Sequence, residues 1–536
     1  MQLVLVLSGA VGSGKSTIAL AVQGVVSALR ISTRALIIAR KGVPSERLAL
    51  QCAGDELDGE TGFEWVAADV EAAARTAMDE VIIVDAVRRR EQIEYLRTVF
   101  GDRVRHVHAV ASDEELRRRH RQRQHDVAEP ENYELVQESL TEQAANRLAS
   151  VADTLLDVTR LDPSLVAAAA LAGTGLGKPR TIERLVDVLV GGQYGSEGKG
   201  NVCSFIAPDY EMLLRVGGPN AGHIVYEPYF KFAQLPSGSL HNPAASLVIG
   251  PAATLSLTVL FDEIRRLKEA GLVITPDRLA IDPQAMVIEP GDIEWESQKL
   301  GVIGSTKQGV GSATARKILG RGGDGSFGPP VRLAKDVAQI APFIRPTFVE
   351  LENAFAQGQR ILVEGTQGTD LSLHHGMWPH VTSRETTAAG CLADAGIAPI
   401  RVRDVIMVTR TYPIRVGGTS GYMGIPVDPE ELARRSGLPV EDIRKTETGT
   451  ISGNPRRIAE FDLGQVRRSA ALNGATVIAL TFADYLGAVN REARSLDALT
   501  APARRRVLEI EEATGVRVGL ISVGPGRSNI IDRREV

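Results

Sequence analysis

The sequence has little of three features that mark particular classes of protein. Only three of its 536 residues are cysteines, and they lie far apart without CxxC spacing, which argues against a disulfide scaffold or a zinc ribbon. The most apolar later stretch, Leu165–Leu176, is shorter than the ~20 residues that a membrane span needs. The apolar start at Leu3–Leu7 is too short for a secretory signal and lacks a basic flank. We therefore expect a soluble, cytoplasmic protein without a membrane partner.

Aromatic residues and an excess of positive charge are also scarce. Aromatics make up 4% of the chain, and 61 basic residues against 66 acidic ones give a net charge of −5. Because non-specific nucleic-acid binding usually requires a strong basic excess, we expect no nucleic-acid partner. The chain is rich in glycine, with 53 residues, and its 43% hydrophobic content excludes disorder of the whole chain. Many glycines with few aromatics favour an α/β protein rich in tight ligand-binding turns.

Two segments share one layout, in which an apolar run meets a glycine-rich turn that leads to a lysine. The first extends from Leu3 to Lys15 and the second from Leu185 to Lys199. A buried parallel strand that leads into a phosphate-binding turn has this pattern. We therefore predict a first nucleotide-binding domain over 1–163, a linker over 164–183 and a larger domain over 184–536.

Elsewhere, short apolar runs alternate with helical patterns. Strands are predicted, for example, at Ala35–Ala39, Val81–Val84 and Val405–Thr409, and helices at Ile18–Leu29 and Leu257–Ala270. Such alternation is typical of parallel sheets with crossover helices. The predicted fold class is therefore α/β, with two P-loop-type domains whose mainly parallel sheets are flanked by helices.

The first glycine-rich turn matches the phosphate-binding motif G-x-x-x-x-G-K-[ST] in full, between a strand and a predicted helix. In this motif, backbone amides surround the phosphates, the lysine reaches the β- and γ-phosphates, and the following hydroxyl ligates Mg²⁺. The predicted nucleotide-binding residues are Gly9, Gly12, Gly14, Lys15, Ser16 and Thr17. Asp85, at the tip of an apolar strand, is the predicted second Mg²⁺ ligand beside Ser16.

An arginine-rich segment, Asp113–Arg123, follows a predicted strand later in this domain. Such a segment either carries lid arginines that gather on a transferred phosphate or is an exposed charged helix. Together with the P-loop, it makes the domain resemble the nucleoside-monophosphate-kinase and dephospho-CoA-kinase group of P-loop proteins. The resemblance implies an ATP-dependent nucleotide kinase, and the acceptor stays open.

The second glycine-rich turn, Gly191–Gly200, is not a Walker sequence. It resembles the phosphate loop of the adenylosuccinate synthetase family, whose pattern is G-x-x-W-G-D-E-G-K-G. Further blocks of that family follow in the same order, among them Gly217–His223, Glu364–Thr369, Trp378–Ser383, Gly449–Arg457 and Thr481–Asp484. The resemblance covers about residues 185–535 and looks most like the shorter archaeal branch of the family.

The resemblance implies a C–N ligase. In this family the γ-phosphate of GTP is transferred to the 6-oxygen of a purine nucleoside monophosphate, and the α-amine of L-aspartate then displaces phosphate at C6 to give an N6-succinyl purine nucleotide. Such a site needs a phosphate cradle, Mg²⁺, a base for N1–H and arginines for the aspartate carboxylates. It also implies a homodimer, because the family completes its nucleotide site with an arginine from the partner, and Arg321 lies near the matching position.

The roles of individual residues are implied position by position by the matching motifs. The predicted catalytic residues are His223, Ser196 and Lys199, with His223 donating to the migrating phosphoryl group. Triphosphate binding is assigned to Gly195, Glu197, Gly198, Gly200 and Asp484, and Asp484 reads the donor base. The acceptor and aspartate are assigned to Asn220, Thr306, Gln367, Thr382, Thr450, Arg415 and Arg456. The predicted Mg²⁺ ligands of this site are the Gly222 carbonyl and Ser196.

Ser196 departs from the family pattern, because it replaces the Asp that serves as N1 base and Mg²⁺ ligand. A neutral hydroxyl is a poor base at neutral pH. One interpretation is a changed acceptor, GMP or dGMP in place of IMP, since a smaller side chain leaves room for a 2-amino group. A phage branch of the family that makes N6-succino-2-amino-2′-deoxyadenylate from dGMP has Ser at this position. The other interpretation is a catalytically degenerate purine-nucleotide sensor that regulates the P-loop domain.

Two further departures concern the other substrates. Phe482 takes the place of the lysine in the family's T-K-L-D guanine reader, so we predict either GTP or ATP as phosphoryl donor. Asn454 replaces an arginine of the G-R-P-R-R block, which predicts weaker binding of the dicarboxylate or a different amine donor.

Overall fold

The structure is a computed structural model that describes residues 2–122, 140–159, 161, 163–176, 182–323, 325, 328–448 and 455–534. The chain divides into two compact units, residues 1–181 and 182–536. Within the described residues, no helix is both long enough and apolar enough to cross a membrane.

The first unit is built on a parallel sheet. Its strands are β1 (Leu3–Gly9), β2 (Ala28–Ser32), β3 (Val81–Asp85), β4 (Val104–Val110) and β5 (Thr154–Asp157). They are ordered β2-β3-β1-β4-β5 across the sheet. Strand β1 is central and buried along its whole length, as its continuous apolar run predicts. The phosphate-binding turn that follows β1 therefore emerges at the carboxyl end of the sheet, the usual place for a ligand in such folds.

The helices of the first unit are α1 (Lys15–Gln23), α2 (Thr33–Lys41), α3 (Arg47–Thr61), α4 (Trp65–Ala74), α5 (Arg90–Phe100), α6 (Asp113–Gln122), α7 (Leu140–Arg147) and α8 (Pro163–Ala170). The predicted strand at Ala35–Ala39 is wrong, since these residues lie inside α2. Ser32 ends strand β2 and begins α2, with its hydroxyl accepting from the Ala35 amide. The predicted helix Ile18–Leu29 also ends early, at Gln23, because Leu29 belongs to β2.

The alanine-rich segment at 163–170 is a helix of the first unit rather than a linker. Helix α8 packs against α1, and its residues Val166, Ala167 and Ala170 are buried in the core of this unit. The predicted linker over 164–183 therefore does not begin at 164, because small apolar side chains at helical spacing bury this segment against its neighbour.

The second unit is built on a larger sheet with smaller strand pairs around it. Its strands are β6 (Val186–Gly191), β7 (Met212–Arg215), β8 (His223–Val225), β9 (Phe230–Phe232), β10 (Ser246–Ile249), β11 (Thr254–Leu255), β12 (Leu279–Ile281), β13 (Met286–Val287), β14 (Ile361–Glu364), β15 (Val402–Arg410), β16 (Ile414–Val416), β17 (Pro426–Val427), β18 (Arg456–Ala459), β19 (Val477–Thr481), β20 (Val518–Ser522) and β21 (Ile530–Asp532). The main sheet has the order β12-β10-β7-β14-β6-β15-β19-β20-β21, and only its last pair, β20 with β21, is antiparallel within the described residues.

The helices of this unit are α9 (Lys199–Ile206), α10 (Leu257–Glu269), α11 (Pro290–Lys299), α12 (Val310–Leu319), α13 (Thr347–Ala356), α14 (Ala388–Ala395), α15 (Pro429–Ser436), α16 (Val440–Thr446), α17 (Leu463–Asn473) and α18 (Ala501–Thr514). The main sheet is covered on both faces, since Val188 and Leu189, which are neighbours on β6, pack into two different core clusters. A mainly parallel α/β fold is thus confirmed for both units.

The main sheet brings polar and glycine residues together at one edge. Strands β6, β7, β14, β15 and β19 end at Gly191, Arg215, Glu364, Arg410 and Thr481, respectively. These strands are consecutive and parallel in the sheet, so their carboxyl ends share one edge. In parallel α/β sheets that edge is where ligands bind.

Candidate active site

The glycine-rich turn of the second unit packs tightly around its own lysine. It connects β6 to α9, and Gly195 and Gly198 adopt positive φ angles of 97° and 87°. A Cβ at Gly191 would lie 2.7 Å from a carboxylate oxygen of Glu197 and 2.9 Å from Lys199 Nζ. Glycine is therefore required at the end of β6 for the lysine to reach under the turn.

Lys199 and Glu197 form a buried ion pair inside this turn. Lys199 Nζ donates to Glu197 Oε2 at 2.6 Å and to the Gly195 carbonyl at 3.1 Å, and both charged side chains are 1% exposed. Glu197 Oε1 accepts from the amides of Gln193 at 3.0 Å and Gly195 at 2.7 Å. Glu197 thus holds the turn in shape by accepting from two of its amides. Lys199 supplies a positive charge for a phosphate group.

His223 begins β8 and points one ring nitrogen at a buried carboxylate. Its Nδ1 is hydrogen-bonded to Glu364 Oε1. Since an ionised carboxylate only accepts, Nδ1 carries the proton and Nε2 is left with its lone pair in the neutral ring. Nε2 is buried and has no hydrogen-bond partner among the described residues. This arrangement fixes the ring and leaves Nε2 for a ligand.

Arg215 and Ser237 complete the surroundings of Glu364. Arg215 donates to Glu364 Oε1 at 3.0 Å and to the Ala221 carbonyl at 2.7 Å, while the Ser237 amide donates to Glu364 Oε2 at 2.7 Å. Burial acts to raise the pKa of Glu364, but Arg215, His223 and Ser237 together hold that pKa at about 2. Burial, helped by the neighbouring Arg215, lowers the pKa of His223 to about 4 against the opposing effect of Glu364. The ring is therefore neutral at neutral pH.

One cleft at this edge of the sheet is lined by nine of the site residues that were predicted for the second unit. It encloses about 1000 Å³, including space open to solvent. Its lining includes the predicted residues Gly195, Ser196, Gly198, Lys199, Gly200, Gly222, His223, Arg456 and Asp484. It also includes residues that the sequence did not single out, namely Asn201, Ile224, Tyr226, Arg410, Thr446, Tyr485, Arg491 and Ser522.

Arg410 is held against the cleft by a buried network. Its guanidinium donates to Glu447 at 2.6 Å and to the Ser196 carbonyl at 3.3 Å, and it stacks on the Phe482 ring with 3.7 Å to the centroid. The Tyr485 hydroxyl donates to the same oxygen of Glu447 at 2.7 Å. Arg410 and Glu447 are each 2% exposed, so this pair is a fixed part of the wall.

Arg456 begins β18 and lines the cleft near Tyr226 and Arg410. Burial lowers the pKa of Arg456, and Arg410 acts in the same direction while Glu447 opposes both. A guanidinium stays charged at neutral pH in any protein environment. Arg456 therefore presents a partly desolvated positive charge, which is the setting in which a carboxylate is bound most strongly.

A second group of predicted residues shares unsatisfied polar atoms. Asn220 Nδ2 lies 3.5 Å from Thr382 Oγ1, while Asn220 Oδ1 and both polar atoms of the Gln367 side chain are buried without a hydrogen-bond partner in the described part of the chain. Gln367 also has a positive φ of 57°, a strained conformation for a non-glycine residue. Buried amides are normally satisfied, so these atoms fit a ligand that supplies the missing partners.

The remaining predicted residues lie elsewhere. Thr306 is half-buried in the segment before α12 and is not among the residues that line the cleft. Arg415 is buried, and its guanidinium donates to the backbone carbonyls of Tyr422 at 2.9 Å and His380 at 2.6 Å. It therefore ties two loops together. Thr450 lies outside the described residues.

The glycine-rich turn of the first unit folds back on its own lysine. Lys15 Nζ donates to the carbonyls of Gly9 and Ala10, both at 2.8 Å. Gly12 and Gly14 have positive φ angles of 81° and 107°. Arg119 of helix α6 donates to the Gly12 carbonyl at 3.1 Å, so the arginine-rich segment reaches this turn.

The two predicted Mg²⁺ ligands of the first unit, Ser16 and Asp85, both contact the guanidinium of Arg30. Arg30 of β2 forms an ion pair with Asp85 and donates to Ser16 Oγ at 3.0 Å. A carboxylate and a hydroxyl that converge on one positive group are also the oxygen donors that Mg²⁺ prefers.

Protein ligands for a metal are few in both units. Among the described residues, no group of three or more His, Cys, Asp or Glu side chains could hold a metal ion. The Gly222 carbonyl and the Ser196 hydroxyl line the cleft and are oxygen ligands. Mg²⁺ often binds through one or two protein ligands together with substrate phosphates and water. The residues present therefore fit a Mg²⁺ ion that enters with a nucleotide.

Two family models match the chain, one in each unit. The adenylosuccinate synthetase family matches residues 188–324 and 331–491, and an AAA domain family matches residues 4–147. The adenylosuccinate synthetase of Pyrococcus sp. (strain ST700) is 37% identical over 356 residues, which are 65% of this chain and 98% of that protein. That of Methanocaldococcus jannaschii is 35% identical over 355 residues, which are 65% of this chain and 96% of that protein.

Two solved structures have the fold of the second unit. The succinoaminodeoxyadenylate synthetase (PurZ) of cyanophage S-2L, bound to dGMP and to dATP as an energy donor, has a TM-score of 0.53 at 26% identity and covers 66% of this chain and 96% of its own. The fully ligated adenylosuccinate synthetase of Plasmodium falciparum has a TM-score of 0.54 at 20% identity, and covers 65% of this chain and 99% of its own.

Proposed function

Because this chain belongs to the adenylosuccinate synthetase family, we propose that its second unit joins the α-amine of L-aspartate to C6 of a 6-oxopurine nucleoside monophosphate. One observation carries the proposal. A single cleft is lined by the Lys199 ammonium, by the Arg456 guanidinium and by His223, whose Nε2 has no hydrogen-bond partner in the part of the chain that the structure describes. A triphosphate, a migrating phosphoryl group and an amino-acid carboxylate each require one of these groups.

The reaction has two steps. The γ-phosphoryl group of GTP or ATP passes to the 6-oxygen of the purine as its bond to the β-phosphate oxygen breaks and GDP or ADP is released. The N1 proton passes to solvent water, and the 6-oxygen, a poor leaving group, becomes part of a phosphate ester that leaves as phosphate. The aspartate amine then attacks C6, the C6–O bond breaks, and inorganic phosphate and an amine proton leave the product. Lys199 and the amides of the turn hold the triphosphate, and Arg456 with Thr450 orients aspartate. The Gly222 carbonyl and Ser196 would hold Mg²⁺ together with the phosphates, and the ion would offset their negative charge.

His223 acts on the migrating phosphoryl group. In the neutral ring, Nε2 is an acceptor, and donation to a phosphoryl oxygen requires the imidazolium. An approaching anion raises the pKa of His223, and Glu364, hydrogen-bonded to Nδ1, stabilises the charged ring. The histidine is therefore neutral before the reactants assemble and becomes a donor when negative charge develops near Nε2.

Ser196 selects the acceptor. A guanine base carries a 2-amino group beside N1, and the short hydroxyl both leaves room for that group and accepts from its N–H. We therefore expect GMP or dGMP to be used in preference to IMP. The phage relative that has this fold was bound to dGMP, which supports the assignment. Asn220 and Gln367 bind the acceptor through buried side-chain atoms that have no partner among the described residues, and Thr382, next to Asn220, completes this side of the site.

The experiment that tests this proposal is mass spectrometry of the products from an equal mixture of IMP, GMP and dGMP with aspartate, ATP and GTP. The N6-succinyl form of a 2-amino purine nucleotide is expected as the main product. A product from IMP alone would refute the acceptor assignment, and no succinyl product from any acceptor would favour the degenerate nucleotide sensor.

Replacing Ser196 by Asp separates these interpretations further. In a retuned enzyme, Ser196→Asp restores a base for IMP and crowds the 2-amino group, so the preference moves from GMP and dGMP towards IMP. In a degenerate sensor, the same change creates IMP chemistry where the parent chain has none. Since Arg456 lines the cleft, chemistry is the better supported interpretation, because a pure nucleotide sensor needs no aspartate clamp.

The first unit is proposed to be an ATP-dependent nucleotide kinase. Three features support this proposal: the P-loop, Arg119 at its turn, and Ser16 with Asp85, which both contact Arg30 and would hold Mg²⁺. Replacing Lys15 by Ala should abolish nucleotide phosphorylation and leave succinylation unchanged, as measured on the full chain with both assays. Loss of both activities together would contradict two independent sites.

The assembly is proposed to be a homodimer. In the family an arginine of the partner completes the nucleotide site, and Arg321 is exposed at the end of α12. Light scattering of the full chain tests the dimer directly.

A further inference from the structure

Asp484, the predicted reader of the donor base, shares the cleft with an arginine that the family motif does not contain. Arg491 contacts Asp484 Oδ2 through Nε at 3.1 Å and through a terminal nitrogen at 3.0 Å. Both residues line the cleft, and Asp484 is 5% exposed while Arg491 is 43% exposed. The Asp484 carboxylate is thus buried, and the Arg491 guanidinium lies between it and solvent.

The position of Arg491 is fixed by its neighbour in the chain. Asn490 is fully buried, and its amide donates to the Ala483 carbonyl at 2.9 Å and to Thr500 Oγ1 at 3.2 Å, while its Oδ1 accepts from the Thr500 amide at 2.8 Å. These bonds anchor the short helical turn Ala488–Glu492 to the segment that carries Asp484. The backbone of Arg491 is therefore held at a defined position beside Asp484.

The pair presents acceptors and donors side by side. A lone carboxylate suits guanine, whose N1–H and 2-amino group are adjacent donors, and it repels adenine, whose N1 is an acceptor. With the guanidinium beside it, the carboxylate can accept from the 6-amino group of adenine while the arginine donates to N1 or N7. Guanine is accommodated as well, with the arginine on its O6 and the carboxylate on its two donors.

We propose that Arg491 determines which triphosphate the ligase site accepts, by converting a guanine reader into one that also takes an adenine nucleotide as phosphoryl donor. This inference rests on the proposed ligase function. It adds a residue outside the T-K-L-D motif that sets the donor base. Ser522, Gly524 and Pro525, which line the same cleft, are uncharged and do not discriminate between the bases by charge.

The test compares ATP with GTP in the full-length chain carrying Lys15→Ala, so that the first unit does not contribute nucleotide binding. Arg491→Ala should lower kcat/KM for ATP by about tenfold or more relative to kcat/KM for GTP, as expected for loss of a charged hydrogen bond. Because burial raises the pKa of Asp484 and Arg491 opposes that shift, measurements at alkaline pH favour the ionised carboxylate. Arg505→Ala, on the exposed face of α18, is the matched control and should leave the ratio unchanged.

Asp484→Asn provides the opposite perturbation, because it removes the acceptor for both guanine donors. It should lower GTP use more than ATP use and so move the ratio in the other direction. An unchanged ratio in Arg491→Ala, with a folded protein by thermal melting, would overturn the inference.

A failed ligase is distinguishable from a failed inference. If the parent chain forms no succinyl product with either donor, competition binding of ATP and GTP to the Lys15→Ala chain gives the same comparison without turnover. A shift in relative affinity between the parent and Arg491→Ala then supports the base reader, and its absence refutes it.

Discussion

The role of His223 leads to the sharpest prediction about catalysis. His223→Gln keeps a polar side chain of similar length but cannot carry the positive charge that Glu364 stabilises in the imidazolium. Removing one donor aimed at developing transition-state charge costs about 3–4 kcal/mol, or roughly 10²–10³ in kcat. Because the neutral ring contributes little to ground-state binding, KM for the acceptor and for the triphosphate should change by no more than about threefold.

The assay is steady-state formation of the N6-succinyl product, followed by mass spectrometry with all substrates saturating. His241→Gln is the matched control, since His241 is half-buried in the same unit, bonds to Ser204 Oγ at 2.7 Å and does not line the cleft. A fall in kcat of less than about tenfold for His223→Gln, or a loss confined to KM, would refute the transition-state role.

Three further outcomes follow from the geometry. Arg456→Ala should raise KM for aspartate about 10- to 100-fold, because charged hydrogen bonds are lost, and Arg456→Lys should recover part of it; an unchanged aspartate KM would contradict the carboxylate clamp. Arg410→Ala leaves Glu447 buried and unpaired, so the free energy of unfolding should fall by about 3–5 kcal/mol in chemical denaturation, whereas Arg505→Ala should leave it unaltered. The folded-state pKa of His223, about 4, lies below the ordinary 6.5, so its contribution to stability is present above pH 6.5 and is lost as pH falls towards 4. Between about pH 7.5 and 4.5, the free energy of unfolding of the His223→Gln variant should therefore fall by about 2.5 kcal/mol less than that of the parent. An equal fall in both proteins would contradict a buried neutral ring.

The sequence predicts the strands and turns of this chain wherever its signal is local. The apolar runs at Val81–Val84 and Val405–Thr409 are strands of the two sheets, because burial on both faces permits an uninterrupted apolar sequence. Lys15 and Lys199 each follow such a strand at the spacing that a phosphate-binding turn requires.

Local signals fail where one stretch suits two structures. Ala35–Ala39 is short and apolar, and such a run does not distinguish a strand from a helix. The cap at Ser32 decides for the helix, and the preceding Ala28–Ser32 takes the place in the sheet. Small residues from Pro163 onwards resemble a linker in composition, yet they form a helix because they pack closely on α1.

The partners of the site residues could not be predicted because they come from distant parts of the chain. Glu364 lies 141 residues after His223 and 149 after Arg215. The pairing of β7 with β14 in the main sheet brings Arg215 beside Glu364, whereas His223 comes from the separate β8–β9 pair. One signal was available, namely that Arg215, Glu364 and Arg410 each end an apolar strand. Charged residues at the carboxyl ends of parallel strands commonly face a ligand site.

The most direct test of the central claim follows the oxygen at C6 of the acceptor. GMP or dGMP carrying ¹⁸O at C6 is incubated with aspartate, ATP, GTP and the full-length chain, and the released inorganic phosphate is analysed by mass spectrometry. Transfer of the γ-phosphoryl group to that oxygen, followed by displacement by the amine, predicts one ¹⁸O atom in each phosphate released with product. Unlabelled phosphate, with the ¹⁸O found in water or retained in the purine, would contradict it.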